Sequence, residues 1–222
     1  AGRITAMTAH NQEQVSADEL LELALRIGRE AAAMLMDRPA ELEVNTKSTA
    51  IDVVTQMDIK VEAFIVEQLL AARPHDGLIG EEGADRLSTS GITWVIDPLD
   101  GTVNYLYDLP GWNVSIAAKD GEGQLVGVVT APSINSTWWA VRGGGAFFNG
   151  KPIRCNDPID FNRALIATGF QYDVAHRGKQ IEHASAILPL IRDIRRNGAA
   201  AVDLCHVAMG RVDAYYEHGL KE

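Results

Sequence analysis

Cysteine is scarce in this sequence and long apolar runs are absent, and each of these absences excludes a class of protein. The two cysteines, Cys155 and Cys205, are too few for a disulfide framework, and neither belongs to a Cys-x-x-Cys pair. We therefore expect a reducing compartment, the cytoplasm. No run approaches the ~18 apolar residues of a membrane span. Residues 1–15 lack the apolar stretch of a signal peptide, so we predict a flexible leader.

Positive charge is also in deficit. The chain has 20 Lys and Arg against 30 Asp and Glu, a formal net charge of −10. This balance argues against a nucleic-acid or membrane-surface partner. The six histidines are scattered without the spacing of metal ligands, which argues against a zinc site. With 46% apolar residues among 222, the chain can nevertheless bury a substantial core.

The hydrophobic pattern of the first half predicts α+β structure. Apolar residues recur at helical spacing over 16–35 and 59–71, where we expect two amphipathic helices. Apolar and polar residues alternate over 112–118, 125–129 and 136–141, which predicts an antiparallel meander.

The second half shows an α/β pattern. Strands are predicted at 164–168 and 193–196, and helices near 180–191 and at 200–208. The glycine-rich stretch 143–150 lacks the Lys-Ser/Thr and the helix of a nucleotide-binding loop, and its final Asn-Gly is typical of a hairpin turn. We place the boundary there. The predicted halves are residues 16–148 and 149–222.

Residues 97–102, Asp-Pro-Leu-Asp-Gly-Thr, are the most informative stretch of the chain. They follow an apolar run that predicts a buried strand and precede residues that can begin a helix. Asp97, Asp100 and the Leu99 carbonyl can present convergent oxygens to a hard divalent cation. The N–H groups of Gly101 and Thr102 can bind phosphate at the helix start. An ordinary turn explains the same six residues equally well.

Two further acidic segments lie upstream. Glu81 and Glu82 are adjacent between glycines, which indicates either a cation that offsets their charge or a solvated loop. Asp58 directly precedes the second predicted helix, where helix capping alone would explain it.

Taken together and in this order, these segments resemble the inositol monophosphatase family of magnesium-dependent, lithium-sensitive phosphatases. The matching strings are Lys47-Ser48 with Asp58, then residues 80–82, residues 94–105, and residues 198–217. The resemblance covers nearly the whole chain from about Glu19 onward. It implies a layered α/β sandwich of the sugar-phosphatase type and a homodimer.

By position, the resemblance implies a site for two or three Mg²⁺ ions, with Mn²⁺ as a substitute. Glu81, Asp97 and the Leu99 carbonyl would bind the first ion. Asp97 would bridge to a second ion held with Asp100, and Glu81 would approach a third through water. Glu82 would not bind an ion itself but would contact the residues that do.

The resemblance also implies the catalytic residues, Thr102, Asp58 and Glu81. Thr102 would contact the attacking water, which a metal ion activates, and Asp58 would hold Thr102. Lys47 is a further electrostatic candidate. The residues implied in substrate binding are Gly101, Thr102, Ala200 and Glu217.

One departure from the family pattern concerns the end of the sequence. In the family, a Trp-Asp pair follows the Tyr-Glu segment, and its Asp binds the second metal ion. This sequence stops at Glu222, just before that pair. Either the sequence is part of a longer chain, which an ending within a motif favours, or the protein has lost a ligand.

The resemblance implies a phosphomonoesterase for a small polyol or sugar phosphate, inositol monophosphate first. Histidinol phosphate, fructose bisphosphate and 3′-phosphoadenylate hydrolases share the metal motifs, so these motifs cannot choose the substrate. An alternative of another class is a non-catalytic regulatory or interaction protein that retains the fold.

Overall fold

The computed structural model describes residues 16–47 and 51–220. The predicted leader and Ser48 lie outside the described residues. The helices are α1 (Ala17–Met36), α2 (Gln56–Ala72), α3 (Thr102–Leu106), α4 (Val174–Ile187) and α5 (Ala200–Ala208). The strands are β1 (Val44–Thr46), β2 (Val53–Thr55), β3 (Gly77–Gly80), β4 (Thr93–Asp100), β5 (Asn113–Asp120), β6 (Gly123–Ala131), β7 (Ser136–Val141), β8 (Gly145–Phe148), β9 (Lys151–Ile153), β10 (Leu165–Thr168), β11 (Asp193–Arg195) and β12 (Ala214–Tyr216).

The first predicted helix is confirmed, whereas the predicted start of the second is wrong. Ser16 caps α1, and its side chain accepts a hydrogen bond from the Glu19 N–H at 3.2 Å. Helix α2 begins three residues before Ile59 because Thr55, rather than Asp58, is the N-cap. Asp58 is the third helical residue, and its carboxylate bonds back to the Thr55 N–H in a capping box.

Strands β3 to β9 form one sheet in sequence order. The antiparallel meander predicted from alternation is confirmed in β5, β6 and β7. Helix α1 packs on β5 and β6, and α2 packs on β4, so both helices cover one face of the sheet. Side chains with little exposed surface fill the space between them, and the largest is Trp94, whose ring nitrogen donates to Asp76 at 2.9 Å.

Strand β4 extends further than the sequence predicts. The apolar run 94–96 was expected to end before a turn at Asp97, but β4 continues to Asp100. Its pairing with β5 shifts between Asp97 and Asp100, which marks an irregularity in the ladder. A bulge of this kind re-aims the side chains that follow it.

The second sheet is parallel, in the order β11-β10-β12. The predicted helix at 200–208 is confirmed as α5. Helix α4 begins earlier than the predicted 180–191 because Asp173 caps it by accepting from the Ala175 N–H at 2.8 Å. It also ends earlier, at Ile187, where a 3₁₀ turn follows. The predicted hairpin turn is present, with Asn149 and Gly150 both at positive φ.

Helices α1 and α2, the seven-stranded sheet and the α/β second half together confirm the predicted fold class. Strand β9 extends the first sheet to Ile153, and the division into halves at residue 149 stays a prediction. Within the described ranges, no helix is both long and apolar enough to cross a membrane.

Candidate active site

The end of β4 brings together three parts of the chain. The acidic loop after β3 lies beside it, because β3 and β4 pair in parallel. Helix α3 begins directly after it, with Gly101 as N-cap at a φ of 84°. A side chain at Gly101 would come within 3.1 Å of the Ala199 side chain and 3.2 Å of the Gly198 carbonyl. Glycine is therefore required here both by backbone angle and by the close approach of the loop before α5.

Thr102 and Asp58 meet at this point. The Thr102 hydroxyl lies 3.0 Å from one oxygen of the Asp58 carboxylate and 3.1 Å from the Leu99 carbonyl. The other Asp58 oxygen accepts from the N–H and hydroxyl of Thr55 at 2.8 and 2.7 Å. Asp58 has no exposed surface. Burial raises its pKa, although the hydrogen bonds from Thr55 and Thr102 oppose the rise.

The Asp97 carboxylate lies in an unfavourable electrostatic environment. Burial raises its pKa well above the usual range, and the charges of Glu81 and Asp100 raise it further. The Leu99 N–H donates to this carboxylate at 3.0 Å and partly offsets the rise. Carboxylates that repel one another in this way fit a site that a cation completes.

Asp100 is held by the second half of the chain. Its carboxylate accepts from the N–H groups of Ala200 and Ala201 at 3.2 and 2.8 Å, at the first turn of α5. The Asn113 side chain donates to it at 2.9 Å. Burial nevertheless raises the pKa of Asp100 to about 6. Ala200 is implied in substrate binding, and in this structure its N–H donates to a protein carboxylate.

Lys47 supplies positive charge to the acidic loop. Its ammonium group donates to Glu81 at 2.9 Å and to Glu82 at 2.5 Å. Burial alone would lower the pKa of Lys47, but the bonds and charges of the two glutamates outweigh it and the pKa is raised. For Glu82, burial raises the pKa of the carboxyl group, and the hydrogen bond and charge of Lys47 oppose this rise.

The donor set fits a hard divalent cation. It consists of carboxylates on Glu81, Asp97 and Asp100 and the carbonyl of Leu99, and oxygen ligands of this kind suit Mg²⁺. Within residues 16–47 and 51–220, however, no group of three His, Cys, Asp or Glu side chains already converges as metal ligands would. Asp100 accounts for part of this, because its carboxylate is bonded to α5.

The sequence analysis missed Glu62. This buried residue of α2 accepts from the N–H groups of Glu82 and Ala84 at 2.9 and 3.2 Å and so anchors the acidic loop. A side chain at Gly80 would overlap its carboxyl group. The signal in the sequence was a charged residue beside Val61, in the apolar stripe of an amphipathic helix.

Glu217 lies in the second half, directly after β12. It accepts a short hydrogen bond from the Tyr215 hydroxyl. Burial and then Glu217, Asp203 and Asp100 raise the pKa of Tyr215, so the acidic groups of both halves act on one hydroxyl.

Tyr172, in the loop between β10 and α4, was also missed. Burial is the main cause that raises its pKa, and the negative charges of Asp52, Asp100 and Glu81 contribute. No sequence pattern marks this residue. The charges of Asp52, Asp100 and Glu81 act on it only in the folded chain, because they lie 72 to 120 positions away in the sequence.

A sequence profile described as the inositol monophosphatase family matches residues 16–222. Inositol-1-monophosphatase SuhB of Mycobacterium tuberculosis is 39% identical to this chain, over 91% of the chain and 77% of the relative. A protein named Nus factor SuhB from Pasteurella multocida is 38% identical, with the same two coverages of 91% and 77%.

Solved structures show the same architecture. The extragenic suppressor protein suhB of Bartonella henselae superposes with a TM-score of 0.85 at 32% identity, over 91% of this chain and 80% of that one. Mycobacterium tuberculosis SuhB superposes with a TM-score of 0.81 at 38% identity, over 94% and 80%. The fold described above is therefore the fold of these proteins.

Proposed function

Because this chain belongs to the inositol monophosphatase family, we propose that it hydrolyses the phosphate monoester of a small polyol, with inositol monophosphate as the first substrate. The observation that carries the proposal is the Thr102 hydroxyl, which bonds a fully buried carboxylate while its helix begins beside three acidic side chains. This arrangement provides a polar hydroxyl where a water can be oriented toward a phosphate.

Thr102 and Asp58 orient and deprotonate the attacking water. The water donates to the Thr102 oxygen, and the Thr102 proton moves to the Asp58 oxygen that lies 3.0 Å away. The raised pKa of Asp58 makes its carboxylate a stronger base than that of an ordinary aspartate. The water oxygen bonds to phosphorus as the ester P–O bond breaks, and the leaving alkoxide takes up a proton from solvent.

The acidic side chains at the end of β4 and in the loop after β3 would hold the magnesium ions. Glu81, Asp97 and the Leu99 carbonyl would bind one ion, and Asp97 with Asp100 a second, with Mn²⁺ as a substitute. When bound, these ions supply Lewis-acid stabilisation of the charge that develops at the phosphate and the leaving oxygen. Glu82 and Lys47 adjust the charge of the loop that carries Glu81.

Substrate binding would use both halves of the chain. The N–H groups of Gly101 and Thr102 lie at the start of α3, where backbone donors can bind a phosphate. The Ala200 N–H and Glu217 would contact hydroxyl groups of the polyol. For Ala200 this requires that Asp100 first leave its position at α5.

The proposal is tested by phosphate release from inositol 1-phosphate, histidinol phosphate, fructose 1,6-bisphosphate and 3′-phosphoadenylate, each over a magnesium series and with chelator. We expect inositol phosphate to give the highest kcat/KM, activity to require the metal, and lithium to inhibit it. Glu217→Gln should raise KM for the polyol ester, while Glu182→Gln on the exposed face of α4 should not. An unchanged order of substrates in the Glu217 variant would remove Glu217 from the site.

A second candidate function is regulatory, since some relatives about as similar as the enzymes are named Nus factor SuhB. The two functions separate in a strain that lacks the gene. If the role is regulatory, a Thr102→Val protein that cannot hydrolyse phosphate esters should restore the normal phenotype of this strain. If the role is purely enzymatic, that variant should not restore it.

We also propose a cytoplasmic homodimer. Analytical ultracentrifugation of the purified chain should give twice the monomer mass of 24.1 kDa. A monomer over the whole concentration range would contradict this.

A further inference from the structure

We propose that Gly169 and Tyr215 are positioning residues that hold the Glu217 carboxylate in the orientation needed to bind a polyol hydroxyl. The inference rests on the function proposed above and adds two residues to it. Neither touches the substrate in this scheme; both act through Glu217.

The parallel register of the second sheet brings these residues together. Thr168 at the end of β10 pairs with Tyr216 at the end of β12, and the Thr168 hydroxyl donates to the Tyr216 carbonyl at 2.8 Å. One residue further along each strand are Gly169 and Glu217. They are therefore neighbours across the sheet at the carboxyl ends of two parallel strands, where α/β sheets bind ligands.

Glu217 occupies the space that a side chain at Gly169 would need. A Cβ atom on Gly169 would overlap all three atoms of the Glu217 carboxyl group. The backbone of Gly169 does not adopt the positive φ that favours glycine. Alanine is thus compatible with the backbone angles here, and the nearest obstacle to its methyl group is the Glu217 carboxyl group.

Tyr215 fixes the carboxyl group from the other side. Residues 215 and 217 lie on the same face of an extended chain, and the Tyr215 hydroxyl donates a short hydrogen bond to Glu217. The tyrosine bonds one of the two carboxylate oxygens, and in our proposal the other binds the ligand.

The loop that contains Gly169 is itself anchored to α4. The N–H of Gln171 donates to the Gln180 side chain at 2.9 Å, and the Arg177 side chain donates to the Gln171 carbonyl at 2.7 Å. Gln171 in turn packs on Gly219, where an added Cβ would overlap its amide group. The loop after β10 and the segment after β12 therefore contact each other at two points, Gly169 with Glu217 and Gln171 with Gly219, which limits the positions open to Glu217.

The first experiment compares Gly169→Ala with Gly178→Ala, in which the added methyl group of α4 meets open space. For inositol 1-phosphate we expect Gly169→Ala to raise KM about tenfold, the effect of losing one charged hydrogen bond, with kcat changed less than twofold. For 4-nitrophenyl phosphate, which has no hydroxyl for Glu217, KM should not change. Gly178→Ala should match the wild type with both substrates.

The second experiment asks whether Gly169 acts through Glu217. In the double variant Gly169→Ala with Glu217→Ala, KM for inositol 1-phosphate should equal that of Glu217→Ala alone. Shortening the acid, in Gly169→Ala with Glu217→Asp, should restore part of the affinity. Tyr215→Phe should raise KM about threefold with the polyol ester only.

The third experiment measures binding without turnover, by calorimetry of inositol 1-phosphate and Mg²⁺ with each variant in a Thr102→Val background. Equal dissociation constants with and without Gly169→Ala, or additive effects of the Gly169 and Glu217 changes, would overturn the inference. Suppose instead that Gly169→Ala weakens binding tenfold but the protein with its native Thr102 hydrolyses no ester. That result would keep the inference and overturn the proposed reaction.

Discussion

The Thr102 hydroxyl lies 3.0 Å from the Asp58 carboxylate although 44 residues separate them. Asp58 makes this contact from the first turn of α2, where the capping box with Thr55 fixes its side chain. The Asp58 carboxylate thus stabilises the start of α2 and also accepts a hydrogen bond from the Thr102 hydroxyl. The helix start is what holds Thr102 in place.

Replacing Thr102 by valine should lower kcat without weakening substrate binding. The change removes the hydroxyl that we propose orients the water, a contribution of about 10²-fold or more for a positioned proton acceptor. It leaves the backbone N–H that we propose binds the phosphate. Steady-state kinetics with inositol 1-phosphate measures both constants. Thr130→Val is the control, since Thr130 is buried and its hydroxyl makes no hydrogen bond within residues 16–47 and 51–220. If KM rose and kcat stayed the same, Thr102 would be a binding residue.

Asp97→Asn should stabilise the metal-free protein and abolish its stabilisation by magnesium. The pKa of Asp97 is raised in the folded state, so the folded chain binds that proton more tightly than the unfolded chain. The metal-free wild type should therefore lose stability as the pH rises from 5 to 7.5, through the pKa of about 6 of neighbouring Asp100. Urea unfolding with chelator at the two pH values measures this, and the asparagine variant should show a smaller loss.

The matched control for this experiment is Asp157→Asn, because Asp157 is exposed and pairs with the neighbouring, equally exposed Arg154. It should keep the pH dependence and the magnesium effect of the wild type. A metal-free Asp97→Asn protein that is less stable than the wild type at pH 7.5 would contradict the electrostatic argument.

Glu62→Ala should raise the magnesium concentration needed for half-maximal activity several-fold. Glu62 binds two N–H groups of the acidic loop, and without it those groups are left unpaired and Glu81 loses its support. Glu62→Gln, which keeps an acceptor oxygen, should have a smaller effect. Glu67→Ala, on the exposed face of the same helix, should leave the magnesium titration unchanged.

Alkylation should distinguish the two cysteines. Burial raises the pKa of the Cys205 thiol to about 12, whereas Cys155 is exposed. Because the thiolate is the reactive form, iodoacetamide at pH 8 should modify Cys155 at least ten times faster. Peptide mass spectrometry of a time course measures both rates in one sample. Equal rates would mean that Cys205 is reached through opening of the fold.

The sequence by itself determined the family, which the comparisons confirm, and the segments in which the acidic residues lie. It also determined α1, α5 and the meander, because caps and hydrophobic periodicity act within a few residues. Strand β4 was predicted too short and α2 too late, since sheet pairing and the capping box at Thr55 outweighed the local turn and cap signals.

The tertiary structure alone decided which side chains meet. Asp100 contacts α5, Glu62 anchors the acidic loop, and Glu217 contacts Gly169. In each case the two partners belong to different helices, strands or loops. These contacts depend on how the sheets and α2 pack. Packing brings together residues that are far apart in the sequence, and the periodicity of a helix or a strand does not predict such pairs. Local sequence therefore specified the candidate groups, and the long-range packing of the folded chain specified their partners.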